Sequence, residues 1–301
     1  MEIVEKIKKL QKEKNAVILA HNYQLPEVQD IADYVGDSLG LSVQASQTDA
    51  EVIVFCGVHF MAETAKILSP QKRVLLPDKE AGCPMADMIN ADQLRKLKAQ
   101  HPRARVMCYV NTSAEVKAES DICCTSSNAV KIAKGAFAKD EEVIFVPDKY
   151  LAHYVATQAK REFIVWKGFC PTHARILPEA ILEQKRLHPE AKVIVHPENR
   201  PEVIAIADRV LSTGGMSAFA GEDGAKEFIV GTETGILHRL KKEHPDKTFY
   251  PVSPDVAICP NMKRTTLEKV LWALEEMAFE IEVPSEISTR ARECIRKMLD
   301  F

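Results

Sequence analysis

The chain has no apolar run that approaches membrane-spanning length. Its longer runs, such as Val52–Val58, fall far short of the roughly 20 residues a bilayer-crossing helix needs, so no membrane partner is expected. Charge of neither sign dominates: 40 Lys and Arg against 43 Asp and Glu leave a net charge of −3. The basic residues are scattered through helix-like segments, and no nucleic-acid surface is expected. The opening Met1-Glu2-Ile3-Val4-Glu5 is acidic, unlike a secretory leader, and a cytoplasmic location is expected. The eight cysteines form no disulfide framework. Ala291 stands three residues before Cys294, so the last helix carries no C-x-x-C redox pair. No C-x₃-C-x₂-C run exists either, which disfavours radical-type iron-sulfur chemistry. In a reducing compartment, spaced thiols more often bind metal or catalyse.

What is present is an enzyme-like composition, 46% hydrophobic and 28% charged, in a chain long enough to divide into two or three subdomains. Cys83-Pro84, Cys170-Pro171 and Cys259-Pro260 are spaced by 87 and 89 residues. The proline holds each cysteine extended in a turn between strand-like and helix-like segments. One buried cysteine is usually packing; three sharing a spacing and a following proline point to a common thiolate site suited to iron-sulfur or zinc.

The same periodicity runs through the rest of the chain. Glu27, Glu115 and Glu202 each precede Val, at offsets of 88 and 87 residues. These offsets superpose Asp33, Asp121 and Asp208. They also align His21, Tyr109 and His196 at strand ends, then Tyr23, Asn111 and Glu198, then Ser38, Ser126 and Thr213. The first third reads as a helix over Glu2–Lys14, a strand over Ala16–Ala20, a helix over Pro26–Val35, a strand over Val52–Phe55, a helix over Ala62–Leu68 and a strand over Arg73–Leu76. Three βαβαβ units follow, 1–87, 88–175 and 176–264, with the closing helices of 265–301 joined to the first. The expected fold is α/β: three pseudo-equivalent three-layer αβα domains with parallel sheets around a central metal site. A (β/α)₈ barrel ranks second, because three repeats do not divide eight strands.

Every aligned polar residue falls where a parallel sheet places its binding crevice, at strand carboxyl ends. Three thiolates leave one iron of a [4Fe-4S] cluster open to act as a Lewis acid; zinc with an open position is the alternative. His21, Ser38, Tyr109, Asn111, Ser126, His196 and Thr213 offer groups for carboxylate or phosphate oxygens. Helix capping is the competing role for Ser38, Ser126 and Thr213. Tyr23, Glu198 and His173 are the proton-transfer candidates. Cys56, Cys108, Cys123, Cys124 and Cys294 lie off the register and read as core. His59, Met61 and Lys149 are possible pocket walls.

Together, Ala20-His21-Asn22-Tyr23, Gly36-Asp37-Ser38, Gly82-Cys83-Pro84, Tyr109-Val110-Asn111, Gly168-Phe169-Cys170-Pro171-Thr172-His173, His196-Pro197-Glu198, Ser212-Thr213-Gly214-Gly215-Met216 and Cys259-Pro260-Asn261-Met262 resemble the quinolinate synthase family over essentially the whole chain. The resemblance implies three pseudo-equivalent α/β domains around a [4Fe-4S] cluster with one open iron. It implies a transferase of NAD biosynthesis that condenses iminoaspartate with dihydroxyacetone phosphate to quinolinate, phosphate and water. Carried over, Cys83, Cys170 and Cys259 would hold the cluster. His21, Ser38, Tyr109, Asn111, Ser126, His196, Glu198 and Thr213 would bind substrate, with Tyr23, His173 and Glu198 moving protons. A functional partnership with an iminoaspartate-producing enzyme is implied. The chain differs from family members that carry a C-terminal C-x-x-C pair. An aconitase-type hydro-lyase and a non-enzymatic iron-sulfur or zinc-binding protein are the rival readings.

Overall fold

The computed structural model describes residues 2–301; Met1, the first residue of the expected first unit, lies outside them. The chain builds three separate four-stranded sheets, all parallel. The first contains β1 (Ala16–His21), β2 (Tyr34–Gly36), β3 (Val52–Cys56) and β4 (Arg73–Leu75) in the order β2-β1-β3-β4. The second contains β5 (Arg105–Tyr109), β6 (Ile122–Cys124), β7 (Val143–Val146) and β8 (Ile164–Val165) in the order β6-β5-β7-β8. The third contains β9 (Lys192–Val195), β10 (Arg209–Val210), β11 (Glu227–Gly231) and β12 (Thr248–Pro251), ordered β10-β9-β11-β12. One topology is therefore used three times, and a single barrel is excluded.

Helices cover both faces of these sheets, which is why the central strands are continuous rather than alternating apolar runs. All five residues of β3 and all four of β7 are buried. Burying each Val, Ile or Phe contributes about 1.5–3 kcal/mol. The helix Leu267–Glu276 returns to the first unit: its Val270 and Leu274 share a core with Ile7, Ile18 and Val54. The last helix, Ser285–Leu299, packs on the helix Ala114–Ala118 and on β6, with further contact to the helix His59–Leu68, so it lies across the first and second sheets.

Asp33, Asp121 and Asp208 show how closely the units repeat. Their carboxylates accept from the backbone N–H of Ile18, Val106 and Val193, each at 2.7 Å. Their own N–H groups donate to the carbonyls of the same three residues. Each aspartate thus fastens the start of its edge strand to the first strand of its sheet.

The sequence pattern had merged this edge strand into the preceding helix. The helix expected over Pro26–Val35 ends at Ile31, and Ala32 turns extended at φ −70°, ψ 146°. Tyr34–Gly36 then pairs with Leu19–His21. Three residues are too few to show a period of two against an apolar background, so each unit has four strands rather than three.

Candidate active site

The carboxyl ends of β1, β5 and β9 point to one place. His21 and Tyr109 are the last residues of their strands, and His196 follows Val195 directly. All thirteen candidate site residues line a single pocket: His21, Tyr23, Ser38, Cys83, Tyr109, Asn111, Ser126, Cys170, His173, His196, Glu198, Thr213 and Cys259. Met61 joins its wall. His59 lies in a neighbouring recess behind Cys83, and Lys149 Nζ instead sits over the rings of Tyr150 and Phe169.

The pocket is crossed by a continuous hydrogen-bonded chain. Tyr23 Oη lies 2.6 Å from Thr232 Oγ1, which lies 2.8 Å from His173 Nε2. On the other side of the ring, His173 Nδ1 is 2.8 Å from Glu198 Oε2 and 3.1 Å from Cys170 Sγ. Tyr109 Oη donates to Glu198 Oε1 at 2.5 Å. One arrangement of protons satisfies every member: Tyr23 donates to Thr232, Thr232 to Nε2, and Nδ1–H to the carboxylate. The residues come from all three units, so the chain exists only when the units are docked.

The electrostatics follow from burial. It pushes the phenols of Tyr23 and Tyr109 well above their ordinary range, reinforced by the Glu198 charge, so both remain donors. It pushes His21 down to about 4 and His196 down to about 3, leaving both neutral at pH 7. For Glu198 burial acts upward, but His173 beside it, with hydrogen bonds from His173 and Tyr109, holds the carboxyl low. An ionised carboxylate therefore sits between the Tyr109 phenol and the His173 imidazole.

Ser38 and Thr213 are not caps. Asp37 caps the helix Ser38–Gln47 through Gly40 N–H, and Ser212 caps Thr213–Glu222 through Gly215 N–H. The cap is supplied one residue earlier, so the Ser38 and Thr213 hydroxyls stand in the first helical turn facing the pocket. Ser126, by contrast, stands three residues before its helix, which begins at Ala129. Thr213 Oγ1 accepts from Asn22 Nδ2 at 2.8 Å, and Ser126 Oγ lies 3.2 Å from His196 Nε2. Gly214 serves a protein contact: a Cβ there would come within 2.9 Å of Asp37 Oδ2.

Cys83, Cys170 and Cys259 arrive from three turns. Cys170 is extended at φ −79°, ψ 116° before Pro171, as the Cys-Pro pairing predicts. Cys259 is fixed by Glu233, fully buried, whose Oε1 accepts from Cys259 N–H at 3.1 Å and whose Oε2 accepts from Gly235 N–H at 2.7 Å. Lys263 Nζ bridges Glu233 and the carbonyl of Tyr23, and at Gly235 a Cβ would lie 2.8 Å from that carbonyl.

The donor set, three thiols in one pocket, fits a thiolate-held metal centre. Among the described residues, the one trio of His, Cys, Asp or Glu whose donor atoms all lie within 4.8 Å of one another is Cys170, His173 and Glu198. Tetrahedral zinc with Zn–S bonds of about 2.3 Å brings its ligands to about 4 Å of each other. Cys83, Cys170 and Cys259 line the same pocket, a thiolate set suited to iron-sulfur or zinc. Burial pushes Cys83 up to about 12 and raises Cys170 and Cys259; positive charge from a metal centre is what would hold such thiols ionised.

Sequence reasoning missed Thr232 and Glu233. Both follow β11, and both are buried polar residues at the carboxyl end of a parallel strand. That position is itself a signal, but the sheet registers set Thr232 against Gly57 and Pro147, and Glu233 against the buried Asp148, which the fixed sequence offset of 87 residues does not align. The five remaining cysteines are buried, with Cys123 Sγ 3.1 Å from Cys294 Sγ.

A family model described as quinolinate synthetase A protein matches residues 5–300. The chain belongs to this family. Proteins named quinolinate synthase from Dehalococcoides mccartyi strain CBDB1 and Methanosarcina barkeri strain Fusaro are 58% and 56% identical, over 99% of this chain and 97% of each relative. The quinolinate synthase of Geobacter sp. strain M21 is 54% identical over 97% of this chain and 95% of its own length. The family's match thus spans all three sheets and every pocket residue. No helix among the described residues is long and apolar enough to cross a membrane.

Proposed function

We propose that this chain condenses iminoaspartate with dihydroxyacetone phosphate to quinolinate, releasing phosphate and water, as a transferase of NAD biosynthesis. One observation carries the reading: three cysteines and ten polar side chains from three repeated units share one pocket. Membership of the quinolinate synthetase A family and the names of the relatives support it.

Cys83, Cys170 and Cys259 would hold a [4Fe-4S] cluster, which when bound supplies an open iron as a Lewis acid for loss of a hydroxyl group. The protein's own groups do the rest. Ser38 and Thr213, with the free N–H groups of their helix starts, suit carboxylate or phosphate oxygens. His21 and His196, kept neutral, offer hydrogen bonds without a competing charge. Tyr109 and Asn111 close the second side of the pocket.

Forming the pyridine ring moves several protons: carbon acids are deprotonated, and phosphate and hydroxyl leave. Glu198 is held as a carboxylate and suits the role of base, while Tyr23 and Tyr109 are phenols suited to donate. Thr232 and His173 connect Tyr23 to Glu198, so a proton taken at one end can be replaced at the other without bulk water.

A single zinc at Cys170, His173 and Glu198 is the second reading, favoured by their close approach. It would sit astride the proton chain and leave Cys83 and Cys259 without a role. A reducing cytoplasm suits a thiolate-held centre, and a partner enzyme that produces iminoaspartate suits an imine that hydrolyses in water.

The test is anaerobic reconstitution with iron and sulfide, then turnover with iminoaspartate generated in situ. Quinolinate and inorganic phosphate should appear together. A protein that dehydrates a hydroxy acid but releases no phosphate from dihydroxyacetone phosphate would be a hydro-lyase of the aconitase type; one without turnover would be a sensor or binding protein.

A further inference from the structure

Lys117 is a residue that neither the repeat motifs nor the pocket accounts for. It is fully buried, at 0% exposure, in the short helix that follows Asn111. A buried amine is costly unless its donors find acceptors. Lys117 Nζ donates to the carbonyl of Thr112 and lies 5.5 Å from the ring centroid of Phe60. Thr112 is the residue next to Asn111, and Phe60 lines the pocket. Lys117 therefore touches two walls of the pocket from behind without entering it.

The segment it holds is fastened at several further points. Thr112 N–H donates to the Val110 carbonyl at 2.8 Å, and Thr112 Oγ1 to the Tyr109 carbonyl at 3.0 Å. Ala114 N–H donates across the domain boundary to Glu63 Oε2 at 3.2 Å. Glu63 is buried on the helix His59–Leu68, with His59 Nδ1 3.8 Å away. Burial raises its carboxyl, opposed by Lys117 and His59. Amid these ties, Asn111 Oδ1 is buried with no hydrogen-bond partner in the protein while its residue lines the pocket.

The first repeat repeats the device with a different side chain. At the offset of 88 residues that relates Glu27 to Glu115, Lys117 corresponds to Gln29 and Thr112 to Gln24. Gln29 Nε2 donates to the Gln24 carbonyl at 2.9 Å, as Lys117 does to Thr112. It also donates to the Gly235 carbonyl of the third unit at 2.9 Å, so it too works at a domain boundary. The loop after Tyr23 and the loop after Asn111 are thus braced alike, and an amide suffices in one of them.

We propose that Lys117, with Glu63 across the boundary, is a positioning residue that fixes the loop 110–113 and thereby aims the free Asn111 Oδ1 at substrate. The proposal rests on the functional reading above, in which Asn111 binds substrate. What matters is donation to the Thr112 carbonyl, not charge; a glutamine should therefore replace the lysine and a methionine should not.

The experiment compares K117M, K117Q, N111A and the K117M/N111A double variant in the reconstituted holoenzyme. Backbone hydrogen exchange of residues 110–114 is measured alongside turnover. K117M should raise KM for one of the two substrates about tenfold, the scale of one lost hydrogen bond, with kcat changed far less. K117Q should stay within about twofold of the parent, as rescue by a side chain that still donates. K117M should speed exchange at Thr112 and Ala114, and in the N111A background it should add no further rise in KM. Equal impairment of K117M and K117Q, additive effects with N111A, or unchanged exchange in K117M would each overturn the proposal. If K117M does not fold, E63M and K117Q with the exchange measurement decide it: loss of protection in E63M, which removes the acceptor for Ala114 N–H, and its retention in K117Q are expected, and the reverse contradicts it. Absence of any quinolinate from the parent enzyme would instead sink the functional reading, and the exchange data would still judge the brace.

Discussion

His173 Nδ1 lies 2.8 Å from Glu198 Oε2, although the first residue belongs to the second Cys-Pro turn and the second to the loop after β9 in the third sheet. The pair joins the second Cys-Pro turn to a buried carboxylate of the third unit across a domain boundary. Glu198→Gln keeps the size and one acceptor but removes the carboxylate. Loss of a general base costs about 10²–10⁴-fold; turnover should fall by that much while iron content stays at the parent level. Full turnover with an intact cluster would remove Glu198 from the chemistry.

Thr232 is the link between Tyr23 and His173. Thr232→Val preserves shape and removes the hydroxyl, leaving Tyr23 Oη and His173 Nε2 without this partner. The expected result is a fall in kcat of about tenfold or more, with Thr232→Ser close to the parent because it restores the hydroxyl. A valine variant as active as the parent would show that protons do not travel by this route.

The sheets and the pocket were legible in the sequence for one reason: the repeat. Aligning Asp33, Asp121 and Asp208 brought the strand-end residues into register, and the structure shows the aspartates making the same bond three times. What the repeat hid was whatever breaks it. Tyr34–Gly36 was too short to stand out from the helix before it, Thr232 stands where the other units have Gly57 and Pro147, and Asp148, the counterpart of Glu233, falls outside the fixed offset. Capping competed with ligand binding as the role of Ser38 and Thr213 because helix starts favour hydroxyls, and only the structure shows Asp37 and Ser212 filling that position.

Acid should destabilise the protein through its buried imidazoles. The folded chain holds His21 at about 4 and His196 at about 3, against an ordinary value of 6.5. Between those values the unfolded chain binds more protons, so stability is complete above about pH 6.5 and declines as pH falls toward the folded values. Melting temperature should be level from pH 7 to 8 and drop on acidification below 6.5. His196→Asn should make the drop shallower; an identical slope would mean that burial of this ring is not responsible.

The three aspartates should be structural and interchangeable. Replacing Asp33, Asp121 or Asp208 by Ala removes one hydrogen bond to a strand N–H, worth about 1 kcal/mol, and should lower the melting temperature by about 1–3 °C. The sites lie in separate sheets, so the effects should add. Turnover at low temperature should be untouched. A variant that loses activity while keeping its stability would assign that aspartate another role.

The most direct test of the shared metal centre is iron, sulfide and zinc analysis of anaerobically reconstituted parent and the single variants Cys83→Ser, Cys170→Ser and Cys259→Ser. The account predicts about four irons and four sulfides per chain in the parent, with cluster absorbance lost or severely reduced in each of the three variants. A colourless parent that holds one zinc, lost in Cys170→Ser but retained in Cys83→Ser and Cys259→Ser, would contradict it and place the metal at Cys170, His173 and Glu198 instead.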